Sequence, residues 1–305
     1  MKIHDCLIIG GGFAGLSAGI YLARFMRSAL IIDNGDGRWN THETNQNYLG
    51  FPDSILVREL RARGLKQALK FGAILQNDKI TQVKKNDGLF TAKGQKGEYL
   101  GKTIIIATGV KDILPEFPNW QDYWGRSFFW CIMCDGYKTR GKKVLIVGNS
   151  DDAAITAMQF LNFTKQVIFV TNQNPGKIRL SEKWKDNLTK AKITIYEGKI
   201  KEVVGKLGMM TTVILDNGKE ISTDFLFNQQ GAEPQIELAK QLGVKINDEG
   251  YIITDYEQRT NIPFVYAAGD VTKNFAHQVV TAVHEGSSAA EAANYDLYRP
   301  EQRYP

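Results

Sequence analysis

The chain has 305 residues, 43% of them hydrophobic, with three cysteines and a formal net charge of +5. That length exceeds one ordinary compact domain and suits two α/β domains, each able to bury a core. No run reaches the roughly 18 apolar residues that span a bilayer, three cysteines make no disulfide framework, and basic residues interspersed with acids disfavour nucleic-acid binding.

The strand-like run Asp5-Cys6-Leu7-Ile8-Ile9-Gly10 begins within four residues of Met1. No room remains for the basic and apolar regions of a signal peptide, so the expectation is a soluble, cytoplasmic protein. Cys6 reads as a small buried apolar residue. The run leads into Gly10-Gly11-Gly12-Phe13-Ala14-Gly15, which fits G-x-G-x-x-G between a strand and a helix. Gly10 serves the tight turn, Gly12 lets a pyrophosphate approach the backbone, and Gly15 lets the helix pack closely. The helix N-terminus favours the anion. A second apolar strand, Ala29-Leu30-Ile31-Ile32, ends in Asp33, near the separation of about 20 residues expected for the acid that hydrogen-bonds a ribose. Asn47, in Asn47-Tyr48-Leu49-Gly50-Phe51-Pro52, reads by itself as a turn residue.

A further strand-like run, Thr103 to Ala107, ends at Thr108-Gly109, and another, Phe264 to Ala268, ends at Gly269-Asp270. Between them the first pattern repeats: Val144-Leu145-Ile146-Val147-Gly148 leads into Ala153-Ala154-Ile155, with Gly148 standing 138 positions after Gly10. Each copy looks like the start of a parallel, doubly wound sheet. The expected fold class is therefore α/β with two Rossmann-like dinucleotide-binding domains, the second inserted into the first. Residues 1–114 and 232–305 form the outer domain and 115–231 the inserted one, with crossing linkers at Lys111 to Pro118 and Asn228 to Pro234. A carboxylate at Asp270 suits the hydroxylated ribityl chain that FAD has and NAD lacks. The segment from 277 to 293, starting His277-Gln278-Val279, reads as a helix rich in small residues whose N-terminus presents partial positive charge.

Just before the second copy stands Trp130-Cys131-Ile132-Met133-Cys134-Asp135-Gly136-Tyr137. No second C-x-x-C and no paired histidines complete four zinc ligands, so no metal site is expected. A dithiol of this spacing suits exchange chemistry, in which one thiolate attacks a disulfide and the second sulfur resolves it. The second fingerprint is altered where a nucleotide needs it. Ser150 stands at the place of Gly12, Ala153 at that of Gly15 and Thr171 at that of Asp33. A side chain at the second position crowds a pyrophosphate, while alanine at the third is tolerated. Lys177 and Arg179 nearby read as a solvated basic pair.

With Cys-x-x-Cys-Asp-Gly, Arg140-Gly141-Lys142-Lys143 and the strand to Gly148, the chain resembles the low-molecular-weight thioredoxin reductase family over essentially its whole length. The resemblance implies FAD in the outer domain, held by Gly10, Gly12, Phe13, Ala14, Gly15, Asp33, Asn47, Thr108, Gly109, Gly269, Asp270, His277, Gln278 and Val279. It implies a redox-active pair in the inserted, NAD(P)-binding-like domain, with Cys134 nearer the flavin, Cys131 its exchange partner and Asp135 a proton donor and acceptor. A homodimer is implied too. Family members normally carry a His-x-x-x-Arg-Arg type cluster for the 2'-phosphate, where this chain has Val170 to Pro175. The chain thus looks most like the groups without pyridine-nucleotide motifs: ferredoxin-dependent flavin thioredoxin reductases, deeply rooted cyanobacterial types and diflavin-linked disulfide oxidoreductases.

The expected function is an FAD disulfide oxidoreductase acting on a thioredoxin-like protein or another disulfide, without direct use of NADPH. Ferredoxin, a second flavin or another flavoprotein is the expected electron donor. An NADPH-dependent thioredoxin reductase with an atypical site and a small-molecule dithiol oxidase using oxygen are the alternatives. Tyr295, Tyr298 and Tyr304 in the final segment are expected to cover a flavin face, in the same protomer or in a dimer partner. The aromatic run of Trp120, Tyr123, Trp124, Phe128, Phe129 and Trp130 reads mostly as packing.

Overall fold

The computed structural model describes residues 1–40, 43–115, 117–173, 177–272 and 276–303. Two compact units emerge, one comprising Met1–Asn40, Ile55–Lys111 and Glu233–Pro305, the other Thr41–Ser54 and Asp112–Ala232. The grouping of Thr41–Ser54 with the second unit differs from the sequence reading, which leaves that segment in the outer domain. The chain crosses between the units at two short strands, Val110–Asp112 and Ala232–Pro234, which pair with each other.

In the first unit the strands Ile74–Asn77, Ala29–Asp33, Ile3–Ile9, Glu98–Ile106 and Val265–Ala267 lie side by side and parallel. The inner strands, buried on both faces, read as continuous apolar runs, as Leu30-Ile31-Ile32 against Leu7-Ile8-Ile9 illustrates, while the edge strand Ile74–Asn77 is partly exposed. An antiparallel hairpin, Ile80–Asn86 with Leu89–Gly94, joins the first half of Glu98–Ile106. The second unit repeats the parallel order with Thr194–Tyr196, Val167–Val170, Val144–Val147, Phe225–Asn228 and Phe128–Phe129. Its antiparallel part is the separate sheet of Ile200–Lys206, Met209–Leu215 and Glu220–Ser222. The fold is α/β with two Rossmann-like units, as the repeated pattern predicts. No helix among the described residues is long and apolar enough to cross a membrane.

The helices Phe13–Arg24 and Val279–Asp296 pack against each other through small residues. A Cβ on Gly286 would drive into the carbonyl of Ala14, and the Ser17 hydroxyl donates to the Val283 carbonyl at 2.7 Å. Tyr298 does not serve the nucleotide turn. Its ring lies under the Arg27 guanidinium and its hydroxyl accepts from Asn294 Nδ2 at 3.1 Å, past the far end of a helix about 18 Å long. Within the protomer that corrects the expectation that Tyr298 covers a flavin face. Tyr295 falls inside the helix, and Tyr304 lies outside the described residues.

Glu285, on the same helix, is 3% exposed. Its Oε2 accepts from the Gly269 amide at 2.6 Å and the Thr272 hydroxyl at 2.9 Å, tying the turn that carries Asp270 to the helix. Burial pushes its carboxyl above the ordinary glutamate range, against the pull of those two donors. The folded chain therefore holds this proton more tightly than the unfolded one. The associated stability is full below the ordinary glutamate range and is lost as pH rises through the raised value. Glu285→Ala, which strands two buried donors, should cost about 1–3 kcal/mol in urea denaturation. Glu285→Gln keeps an acceptor oxygen and cannot ionise, so it should cost less and remove that pH slope.

Candidate active site

The nucleotide turn of the first unit is shaped by where its backbone leaves no room. Gly10 has φ +112°, and a Cβ there would meet the carbonyl of Ala107; one on Gly15 would meet the carbonyl of Gly10. Gly12 differs, because an added Cβ would find nothing within 4 Å. No side chain caps the helix N-terminus at Gly12, and its first turn holds no acid. The turn thus offers uncapped amides and open space at the position where a pyrophosphate fits. Phe13 and Ala14 open the helix, with Ala14 buried against Gly269, whose φ is +82°.

Both acids assigned from sequence lie in this unit, and each carries an arginine that the sequence reading did not single out. Asp33 accepts the Gly11 amide on Oδ1 at 3.1 Å and Arg61 Nη2 on Oδ2 at 2.6 Å. Arg61 also donates to the Gly11 carbonyl at 2.9 Å and stacks on Trp39 at 3.8 Å. Asp270 pairs with Arg38 at 2.8 Å. Thr108 donates through its hydroxyl to the Gln235 carbonyl, and Gly109, with φ +68°, accepts the Gln235 amide. Gln278 is the N-cap of the helix Val279–Asp296, its amide donating to the Thr281 hydroxyl at 3.2 Å. His277 precedes it, in ring contact with Tyr251.

In the second unit Cys131 and Cys134 are joined as a disulfide, half-buried, at the start of the short helix Ile132–Asp135. The Cys134 amide donates to Cys131 Sγ at 3.1 Å. Asp135 is 2% exposed and its carboxyl is pushed up by burial, opposed by Lys138, whose Nζ lies 2.8 Å from Oδ1. Gln229, which nothing in the sequence signalled, donates to the Trp130 carbonyl at 2.7 Å and so ties the strand Phe225–Asn228 to the cysteine turn. Asn47 reaches the same turn. Its Nδ2 donates to the Met133 carbonyl at 3.3 Å, a contact that the reading as a flavin-side residue did not anticipate. Trp124 stacks on Trp130 and meets Phe128 edge-on, so this aromatic run is packing.

At the second glycine turn the chain bonds back onto itself. Ser150 caps the helix Asp151–Gln159, its hydroxyl accepting the Ala153 amide at 3.4 Å, and Asp151 and Asp152 follow in the first turn. The Ser181 amide donates to Asp151 Oδ1 at 2.8 Å and the Arg179 amide to the Asn149 carbonyl at 2.8 Å. Thr171 is 1% exposed at the end of Val167–Val170, while Lys177 and Arg179 are exposed. Asn174 and Pro175 lie outside the described residues.

Comparison with known proteins agrees with this geometry. The sequence pattern of the family described as pyridine nucleotide-disulphide oxidoreductase matches residues 4–286. The chain is 32% identical over 304 residues to a thioredoxin reductase of Bacillus subtilis, covering 96% of this chain and 95% of that protein. Among solved structures it resembles the thioredoxin reductase of Streptococcus pyogenes, with TM-score 0.90, 29% identity and coverage of 97% and 98%. It also resembles an atypical thioredoxin reductase of Desulfovibrio vulgaris Hildenborough, with TM-score 0.53, 34% identity and coverage of 95% and 96%. The chain belongs to the pyridine nucleotide-disulphide oxidoreductase family, as a flavoprotein thiol-disulfide oxidoreductase of the thioredoxin reductase type.

Proposed function

We propose that the protein moves electrons between FAD, the Cys131/Cys134 pair and a thioredoxin-like protein or another disulfide, without taking hydride directly from NADPH. The observation that carries this reading is the contrast between the two turns. One has an open Gly12, uncapped amides and no acid; the other has a serine cap and two aspartates where a pyrophosphate needs positive potential. Ferredoxin, a second flavin or another flavoprotein is the electron donor on this reading. The thioredoxin reductases among the relatives support a thioredoxin-like partner. A protein substrate gains access because both cysteines are half-buried rather than enclosed.

FAD is held by Gly10, Gly12, Phe13, Ala14 and Gly15 at the pyrophosphate, with Asp33 at the ribose. Thr108, Gly109, Gly269, Asp270 and the segment His277 to Val279 complete its site. When bound, it supplies two-electron exchange with a dithiol. The Cys131 thiolate, favoured by the Cys134 amide, attacks the partner's disulfide and releases one partner sulfur, which takes a proton. Cys134 then attacks Cys131, the second partner sulfur leaves with a second proton, and the pair closes. The partner has gained two electrons and the pair has lost two. Asp135 shuttles protons for the opposite step, in which the pair is reduced.

Gly12→Val should fold, because a Cβ at that position meets nothing within 4 Å and the backbone φ of −75° suits any residue. A clash with the pyrophosphate of about 1–3 kcal/mol should weaken FAD roughly 5–150-fold, read as flavin content after dialysis. Retention of full flavin would remove the turn from the site. Micromolar NADPH or NADH should leave the wild-type flavin oxidised under anaerobic conditions, whereas rapid stoichiometric bleaching would restore the NADPH-dependent alternative. Cys131→Ser should gain a long-wavelength absorption band from the unpaired Cys134 thiolate and Cys134→Ser should lack it. Either change should abolish disulfide turnover, and a double serine variant with full activity would refute the cysteine mechanism.

A further inference from the structure

Asp135 sits in a setting that a carboxylate rarely tolerates. Its side chain is 3% exposed, and its Oδ2 is buried without a hydrogen-bond partner among the described residues. Such an orphan in a folded protein calls for a chemical reason. Its other oxygen is clamped by Lys138, three residues on, in the 3₁₀ turn Gly136–Thr139. Residues three apart eclipse in that geometry, so the turn itself carries the ammonium to the carboxylate. The Thr139 hydroxyl locks the turn by donating to the Gly136 carbonyl at 2.7 Å. The ammonium also rests over the face of Phe129, 4.9 Å from its centroid, which holds the charge at the edge of the buried site.

We propose that Lys138 is a positioning residue for the cysteine pair: it holds Asp135 ionised in a buried site by occupying Oδ1, and so leaves Oδ2 to take and return the proton. The role rests on the disulfide chemistry proposed above. Lys138 is the charged group that acts on this carboxyl. Apolar groups line part of the turn: Phe129 lies beneath the ammonium, and Ile132 and Phe163 close on Gly136. Tyr137 and Arg140, in and just after the turn, are exposed and stack on each other, and the thiols of the reduced pair flank Asp135 on its other side in sequence. Without the ammonium, burial alone governs Asp135. The carboxyl then keeps its proton to higher pH and serves as an acid only, unable to accept from a thiol.

The test compares wild type, Lys138→Met and Lys138→Arg as flavin-loaded proteins. The carboxyl carbon of Asp135 is followed by NMR against pH, and flavin reduction by excess dithiothreitol is followed anaerobically over the same range. Lys138→Met keeps the packing stem and should raise the carboxyl midpoint by about one to three pH units, with Lys138→Arg returning it toward wild type. The ratio of Lys138→Met to wild-type rates, in which the reagent's own ionisation cancels, should rise about tenfold per pH unit from the wild-type midpoint to the variant's, reaching parity above the latter. An unchanged midpoint in Lys138→Met overturns the proposal, as does a moved midpoint with a flat rate ratio. If dithiothreitol fails to reduce wild-type flavin, the wider functional reading falls, and the carboxyl titration still decides whether Lys138 sets the charge of Asp135.

Discussion

One backbone contact governs the first unit: the carbonyl of Gly10 lies where a side chain on Gly15 would have to be. The helix Phe13–Arg24 can start so close to the strand Ile3–Ile9 only because that side chain is missing. The same helix is met on its other side by Gly286, again with no space for a Cβ beside Ala14. Two helices and a parallel sheet are thereby locked at a single point. The locked point sets the positions of the Gly11 amide on Asp33 and of the turn that presents Asp270. An anion site made of backbone amides needs this rigidity, since amides that must reorganise to meet a charge lose part of the gain.

The second unit has the same strand order and a different electrostatic end. Where the first helix opens on bare amides, the second opens on Ser150, Asp151 and Asp152, and the segment from Arg179 to Ser181 bonds back onto it. The acids serve the helix itself, since negative charge at an N-terminus stabilises the helix end. A serine cap and two acids lower the positive potential that this helix end would otherwise present. The cysteine pair lies close after the edge strand Phe128–Phe129, whose direction parallels Phe225–Asn228. It therefore stands at the carboxyl end of the unit's own sheet, the end where ligands meet open α/β sheets.

Much of this was legible in the sequence because it is local. A glycine turn between an apolar strand and a small-residue helix, an acid closing the next strand and a C-x-x-C-Asp run are each written within a few residues. Glu285, Gln229, Arg38 and Arg61 were not legible, because each acts on a partner far along the chain and none sits in a pattern that announces it. Asn47 illustrates the same limit from the other side. Its surrounding turn was visible, but its grouping with the cysteine turn depends on a hydrogen bond across 86 positions. Tyr298 went astray within the protomer because an aromatic residue in a tail carries no information about which end of a helix it will meet.

The glycines of the two turns answer to different judges. At Gly10, Gly15 and Gly286 the protein's own atoms exclude a side chain, so replacement is punished by misfolding whether or not any ligand exists. At Gly12 only a bound molecule can object. The inserted unit keeps Gly148, where an added Cβ would crowd Ala153 and the Gln229 carbonyl, and has Ser150 at the place of Gly12. Drift in such a repeat is thus filtered twice, and comparing its two halves position by position separates the inheritance of a shape from the inheritance of a use.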